Sequence, residues 1–591
     1  MKKTIAIIMS GLLLAGCSQS AVTSTQSVSS AEEETAGFFT PGTYSATAPG
    51  RNGDVTVEAT FSGDKIEDIQ ITSEETENIG VVAMEQMKEA ILAAQALDVD
   101  LISGATLSSE AFLNALKEDV RQAGADPDSL TGAEKTEASA TEYETETDII
   151  IVGAGAAGMT AAITATENGA EVILLEKSNV LGGNTVCAAN GINGADAQVQ
   201  LNNETYREKG ASVEGLESLQ LNNEDANENL VKAFAENSGE TLDWLGSLGV
   251  NFEVDIQDDE RNPEKNFYMV KDTTDGSTAI TMINRVSDKL KDLGITVYYS
   301  MDAHDLIMDD AGTVTGVVAT DGNGEEISFT GKAVLLATGG FGQNSELVGR
   351  YNEHLANAVT DEVAPTTGEG LLMALSAGAA TVNMDAIQTF PAVIPGYGMI
   401  LPFNLPGGFT PDALYVNNSA ERFTAEGFEI PDAILAQDKG EVYCIFDESG
   451  MNDGLQNLMN LGYVQSGETA EELADKLGIS SEALQGTIDK FNEDIQDGTD
   501  DAFGREQNLN PIEGTLYGYR FGVGAHYFMG GVLINEKTQV IDQEGNPISG
   551  LYAAGEVTGG FHGTFRVDGS GLGDSFTFGR IAGRELAEAV R

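Results

Sequence analysis

Residues 148–177 read DIIIVGAGAAGMTAAITATENGAEVILLEK, and this run constrains the fold more than any other. A short apolar segment meets Gly153-x-Gly155-x-x-Gly158. A helical pattern follows, and a second apolar segment ends at Glu176. Short continuous apolar runs suit strands buried on both faces of a parallel sheet. The glycines permit a tight turn and let backbone N–H groups approach a pyrophosphate at the helix N-terminus. A lone GxGxxG triplet is weak. Between a strand and a helix, with an acid about 20 residues on, it predicts a dinucleotide site in which Glu176 accepts hydrogen bonds from a ribose.

The sequence after Glu176 bears on which dinucleotide. KSNVLGGNTVCAANGINGA supplies small residues together with Asn184, Thr185, Asn190 and Asn193. These predict a long groove suited to an extended flavin dinucleotide, FAD. Three later glycine-rich stretches are AVLLATGGFG (333–342), TTGEG (366–370) and GLYAAGEVTGG (550–560). Each reads as a strand or turn that allows close backbone approach. Their order is similar to that of two-dinucleotide-fold flavoproteins, an α/β class.

The N-terminal part is different. The first residues, MKKTIAIIMSGLLLAGCSQS, have a positive start and an apolar stretch too short to span a bilayer, and so read as a secretory leader. Leu14-Ala15-Gly16-Cys17 resembles the bacterial lipobox, which implies a leader over 1–17, lipidated Cys17 and an extracytoplasmic protein held to the membrane by lipid alone. Residues 18–36 are Ser/Thr/Gln/Glu-rich and read as a tether. Residues 37–124 read as a small α+β domain. GTYSATAPG and DVTVEATFSGDKIEDIQI alternate like strands, and NIGVVAMEQMKEAILAAQ is helical. After Asp100-Leu-Ile-Ser103-Gly104-Ala105-Thr106, the residues Phe112, Ala115, Leu116 and Val120 recur at helical spacing. Residues 125–146 are acidic and nearly free of apolar side chains, as a linker would be. The net charge of −63 over 591 residues excludes charge-driven binding to nucleic acid or anionic lipid. Cys187 and Cys444 lie beside apolar sequence and read as buried thiols. There is no CxxCH for haem and no Cys/His cluster for a metal.

Residues 148–591 resemble the soluble fumarate reductase and urocanate reductase family of FAD flavoproteins. The resemblance implies an FAD domain in two parts, 147–387 and 526–591, with an inserted α+β capping domain over 388–525. It implies non-covalent FAD contacts at Gly153, Gly155, Ala157, Gly158, Glu176 and Lys177. Further contacts are implied at Asn184, Thr185, Gly191, Ala303, Gly339, Gly340 and Glu369, and at Glu556, Ser570 and Leu572. Residues 37–124 resemble the FMN-binding domain of bacterial respiratory flavoproteins. Asp100 to Thr106 match its Asp-x-x-(Ser/Thr)-Gly-Ala-Thr motif at every specified position. That implies FMN joined through its phosphate to Thr106, room for the ring beside Ser103, Gly104 and Ala105, and a flavin transferase for maturation.

LYAAGEVTGGFHGTFRVDGSGLGDSFTFGRIAG (551–583) aligns with the family without a gap and puts Arg566 on the arginine that clamps a substrate carboxylate or carbonyl. A structural salt bridge is the alternative for Arg566. Other positions depart. The family's Gln-x-His-Pro or Gln-x-Tyr-Pro is Gln388-Thr389-Phe390-Pro391, and its His-Thr-Met-Gly-Gly is Tyr527-Phe528-Met529-Gly530-Gly531, preceded by His526. After RFTAE (422–426) the family's proton-donating arginine is missing, and Arg422 matches a structural residue expected to pair with a carboxylate. The remaining proton-donor candidates are Tyr527, Tyr397, Tyr415 and His526. The expected activity is reduction of a conjugated C=C bond in a small organic acid or enone. Electrons would pass from FMN to FAD after delivery by a quinone-linked or flavin-shuttle donor, as in a respiratory terminal reductase. A ketosteroid-type FAD dehydrogenase and a tethered flavin electron carrier are the alternatives.

Overall fold

The apolar run before Gly153 is a strand, Ile149–Val152, buried at every position. It lies inside a six-stranded sheet whose order is Thr296–Tyr298, Val172–Leu175, Ile149–Val152, Ala333–Leu336, Pro547–Ala553, Gln539–Ile541. The first five pair in parallel and the last is antiparallel. Chain order reverses on either side of Ile149–Val152, so Gly153 stands at the switch point where doubly wound sheets open a crevice. In this computed structural model the described residues are 23–25, 38–50, 53–75, 80–99, 101, 106–131, 143–188, 191–255, 268–272, 277–396, 398–399, 405–406, 412–427 and 430–591. Cys17, Asp100, Ser103, Gly104, Ala105, Asn190 and Tyr397 lie outside them, and Thr106 is described only as the first residue of a helix.

The chain forms two units, residues 1–141 and 142–591. The first holds a four-stranded antiparallel sheet in sequence order: Thr23–Thr25, Gly42–Pro49, Asp54–Phe61, Ile66–Thr72. Val55, Val57, Ala59 and Phe61 alternate inward, the period of two expected of a half-covered sheet. Helix Val82–Ala94 buries Ala83, Met84, Met87 and Ile91. Helix Thr106–Gln122 buries Phe112, Ala115, Leu116 and Val120, the four residues picked out by spacing. Thr23–Thr25, inside the segment read as a tether, is the edge strand of this sheet.

The acidic segment 125–146 is anchored at both ends. Ala125 N donates to Val120 O, and Pro127–Ser129 forms a 3-10 turn. At the other end Thr147 N donates to Thr330 O and Thr330 N to Thr145 O.

In the second unit the hub of the inserted part is a 13-residue strand, Leu516–Phe528. It pairs with Ile387–Ile394, Glu441–Phe446, Val359–Thr360 and Gln465–Gly467. The expected boundaries at 388 and 525 fall inside two of these strands, so both run unbroken from the cap toward the FAD part. Helices Ala470–Leu477 and Ser481–Asp494 pack Leu473, Leu484, Ile488 and Phe491 against Leu414, Val416 and Ile445.

Arg422 pairs with carboxylates, as its family position implies. It donates to Glu426 at 2.8 and 2.7 Å and to Asp500 at 3.0 and 2.8 Å. Arg505 joins at 3.2 Å from Glu426, and both guanidinium groups lie over the Phe491 ring. Removing one member of such a buried set strands the remaining charges. Arg422→Met is therefore expected to destabilise the protein by about 3–5 kcal/mol. A urea midpoint equal to wild type would contradict this.

Cys444 is buried and Cys187 is exposed, on the 3-10 turn Gly183–Cys187; neither is in a disulfide. The expectation of burial for Cys187 is thus corrected: its apolar neighbours in sequence do not place it in the core, because a turn projects it outward. No helix among the described residues is long and apolar enough to cross a membrane, and none of their His, Cys, Asp and Glu side chains group to hold a metal.

Candidate active site

The groove begins at the glycines. Gly153 has φ +101°, and a Cβ there would sit 2.3 Å from Ala337 O. A Cβ on Gly158 would lie 1.9 Å from Gly153 O. At Gly155 the nearest atom to such a Cβ is 3.8 Å away, and the helix Ala156–Glu167 that it caps has no side-chain cap. The cap residue itself therefore satisfies none of the first N–H groups through a side chain, which suits a phosphate. Gly153→Ala is expected to leave the purified protein without FAD, and a normal flavin absorbance would contradict this.

Glu176 is buried, and its oxygens accept from Ala154 N and Ser178 N, each at 2.7 Å. Burial raises its pKa against those two hydrogen bonds. Further along the groove, Thr185 Oγ1 accepts from Ala156 N at 3.3 Å. Asn184 accepts from Val363 N at 2.8 Å and donates to Glu556 at 3.2 Å. Lys177 donates to Glu369 at 2.8 Å and to Thr367 at 2.9 Å. Ala157 and Gly555 are packed so closely that a Cβ on Gly555 would lie 3.0 Å from that of Ala157. Gly191 faces Val270 O, Ala303 is buried in strand Asp302–Met308, and Leu572 and Ser570 are buried in the first turn of helix Ser570–Ala589. Gly339 has φ +76°. Gly340 backs onto Glu362 and Glu556, whose carboxyl groups would lie 2.5 and 3.2 Å from a Cβ there.

Glu362 was not singled out from sequence, although TDEVAPTTGEG is polar enough to have raised it. It accepts from Gly342 N at 2.8 Å, while Glu556 accepts from Phe528 N at 3.2 Å. Burial first, then the charge of Glu556, pushes Glu362 well above the ordinary carboxyl range, and burial raises Glu556 as well.

The second cluster surrounds Arg566, which is 8% exposed. Its Nε donates to Gln388 Oε1 at 2.9 Å, and its Cζ lies 4.9 Å from the centre of the Tyr527 ring. Its terminal nitrogens reach one carboxylate among the described residues, Asp568 at 4.0 Å. The structural salt bridge considered for Arg566 is therefore marginal in geometry. A guanidinium so placed keeps donors for an incoming carboxylate or carbonyl.

Gln388 and Tyr527 are direct cross-strand partners, and the register then slips so that Thr389 opposes Ala525 and His526 is left over. A bulge of this kind re-aims side chains. Tyr527 is turned toward Arg566, while His526 Nδ1 meets Asp361 at 2.7 Å and its ring stacks on Phe390 at 4.5 Å. Behind Tyr527, His562 Nε2 is 3.2 Å and Asp574 Oδ2 3.5 Å from the hydroxyl. Burial raises the Tyr527 pKa well above its usual value and holds His562 well below its own. Burial, then Glu556, pushes Asp574 up to about 8.

Of the proton-donor candidates, Tyr527 lies against Arg566. Tyr415 does not: it is buried in the cap beside Phe521 and across from Cys444. Its strand, Leu414–Val416, is the edge of the cap sheet and is nevertheless buried at every position, which period alone could not reveal. Gln388 appeared in sequence only as part of a motif; His562 and Asp574 were not singled out, because neither had a partner nearby in sequence.

Residues 148–572 match the FAD binding domain family and residues 50–121 the FMN-binding domain family. The chain is 33% identical over 616 residues to urocanate reductase of Eggerthella lenta, covering 99% of this chain and 97% of that one. It is 31% identical over 564 residues to NADH:fumarate oxidoreductase of Klebsiella pneumoniae, covering 94% of this chain and 59% of that one. The fold is similar to the open conformation of a flavocytochrome c3 fumarate reductase, with TM-score 0.68, 30% identity, and coverage of 76% of this chain and 79% of that one. On these matches the chain belongs to the fumarate reductase and urocanate reductase family of FAD-binding oxidoreductases, and it carries an FMN-binding domain.

Proposed function

We propose that this protein reduces the conjugated C=C bond of an aryl- or imidazole-acrylate of the urocanate class. The observation that carries the reading is Arg566: a buried cation whose Nε is fixed by Gln388 and whose terminal nitrogens remain for substrate. The glycine-lined groove would hold FAD, whose reduced form would supply a hydride. Arg566 holds the carboxylate or carbonyl conjugated with the alkene and stabilises the charge that develops there. Tyr527, whose ring lies against the guanidinium, gives the proton to the α-carbon.

Phe390 supports an extended, partly apolar substrate. It is buried and stacked on His526, at the motif position to which the family resemblance assigns His or Tyr. A second carboxylate against it would be left without a partner, at a cost of several kcal/mol. Fumarate is thus a poor substrate in this reading.

Thr106 at the start of its helix, within Ser-Gly-Ala-Thr, supports a phosphoester-linked FMN installed by a flavin transferase. FMN would take single electrons from a membrane-side donor, quinone-linked or a flavin shuttle, and pass them to FAD. The leader and Cys17 support an extracytoplasmic lipoprotein in respiration. Cys17→Ala should abolish lipid labelling; unchanged labelling would overturn the anchor.

The activity is tested by mass spectrometry of products formed anaerobically from urocanate, cinnamates, a cyclic enone and a 3-ketosteroid with a reduced dye. Gain of two hydrogens by an acrylate is expected. Conversion of the steroid alone would favour the ketosteroid reading, and no conversion of any acceptor the electron-carrier reading.

A further inference from the structure

The mechanism above leaves a buried carboxyl group without a task. Asp574 lies in helix Ser570–Ala589, is 2% exposed, and has its Oδ1 without a hydrogen-bond partner among the described residues. Its Oδ2 is 3.5 Å from the Tyr527 hydroxyl and 3.9 Å from His562 Nε2. His562 Nε2 is in turn 3.2 Å from the same hydroxyl, and the two rings meet edge to face. A buried carboxyl placed behind a phenol that itself faces the substrate guanidinium is arranged to hand over a proton.

We propose that Asp574 is the proton reservoir for Tyr527, with His562 holding the two groups in line. This rests on the reading of Tyr527 as donor. A hydride from reduced FAD forms a C–H bond at the β-carbon and leaves the former π pair on the α-carbon, conjugated with the group held by Arg566. The Tyr527 O–H bond breaks and its proton forms the α C–H bond, so the phenol becomes phenolate. The Asp574 O–H bond then breaks and restores the phenol, leaving a carboxylate. Water returns one proton to Asp574 between turnovers. Asp574 touches no reacting atom and acts through Tyr527.

The charges around it support this order. Arg566 is the cation acting on Tyr527, Glu556 and Glu362 are the other titratable groups acting on it besides Asp574, and His562 is neutral. Burial, then the charge of Glu556, keeps the Asp574 proton on up to about pH 8, against the hydrogen bond from Tyr527. The supply is present below that pH and is lost as pH rises through it. His562 cannot replace Asp574, since burial and Arg566 keep it from carrying a second proton.

The test uses the full chain loaded with both flavins, reduced methyl viologen and urocanate. Wild-type kcat should fall above about pH 8. Asp574→Asn should lower kcat at neutral pH by about 10²-fold with little change in KM, and remove that alkaline limb. Asp574→Glu should restore part of both. An infrared carboxylic-acid band in the wild-type-minus-Asn difference spectrum should bleach over the same pH range. If Asp574→Asn does not fold, the band is sought in carbon-13 aspartate-labelled protein carrying Asp119→Asn. That change removes a second buried aspartic acid, also pushed up to about 8, in the N-terminal unit. An unchanged kcat and alkaline limb in Asp574→Asn, or no such band, overturns the proposal. Failure of the wild type to reduce urocanate would instead count against the proposed function, while the infrared band still decides the state of Asp574.

Discussion

Arg566→Met is expected to lower kcat/KM on the acrylate substrate by about 10²–10³-fold, the usual loss when one preorganised donor to a developing negative charge is removed. The side chain is of similar length and keeps the packing against Tyr527 and Gly571. A Cβ at Gly571 would lie 3.1 Å from the Tyr527 ring and 3.3 Å from Arg566 Cδ, so the space is narrow and a thioether fills it. What is lost is the cation and the Nε–Gln388 hydrogen bond. FAD content should be unchanged, because no glycine of the dinucleotide turn touches this residue. Arg566→Lys should fall between the two: it keeps the charge but not the planar fork that matches a carboxylate. Full activity in Arg566→Met, with FAD bound, would remove Arg566 from the chemistry.

Thr106→Ala is expected to abolish FMN attachment and, with it, turnover by the membrane-side donor. Helix Thr106–Gln122 would still form, since its buried face of Phe112, Ala115, Leu116 and Val120 is untouched. Activity with a small dye that reduces FAD directly should persist. Intact mass after co-expression with a flavin transferase separates the outcomes: wild type gains one FMN and the variant none. A variant that keeps the added mass would refute the linkage to Thr106. Equal loss of activity with both donors would refute the relay.

Much of this was legible in the sequence, for identifiable reasons. The strand Ile149–Val152, the turn at Gly153 and the helix after it are local, and each residue's job is set by its neighbours within a few positions. The same holds for the helix face of Phe112 to Val120. Arg422 could be assigned a structural role from its family position, and it pairs with Glu426 and Asp500. The interior of the active site was less legible because it is assembled across long separations. Gln388 meets Arg566 from 178 residues away, and Asn184 meets Glu556 from 372. His562 and Asp574 become a pair only when helix Ser570–Ala589 turns back beneath Tyr527. That His526 is left without a cross-strand partner between Tyr527 and Ala525 follows from a slip in register, which no pattern in the sequence indicates.

The central claim is that Arg566 and the apolar wall at Phe390 select a conjugated acrylate with one carboxylate over a small dicarboxylate. Anaerobic oxidation of reduced methyl viologen by the purified enzyme, with urocanate and fumarate compared side by side, tests it most directly. The account predicts a kcat/KM at least about a hundredfold higher for urocanate, equivalent to a little under 3 kcal/mol of transition-state discrimination. Fumarate turnover as efficient as urocanate turnover would contradict it.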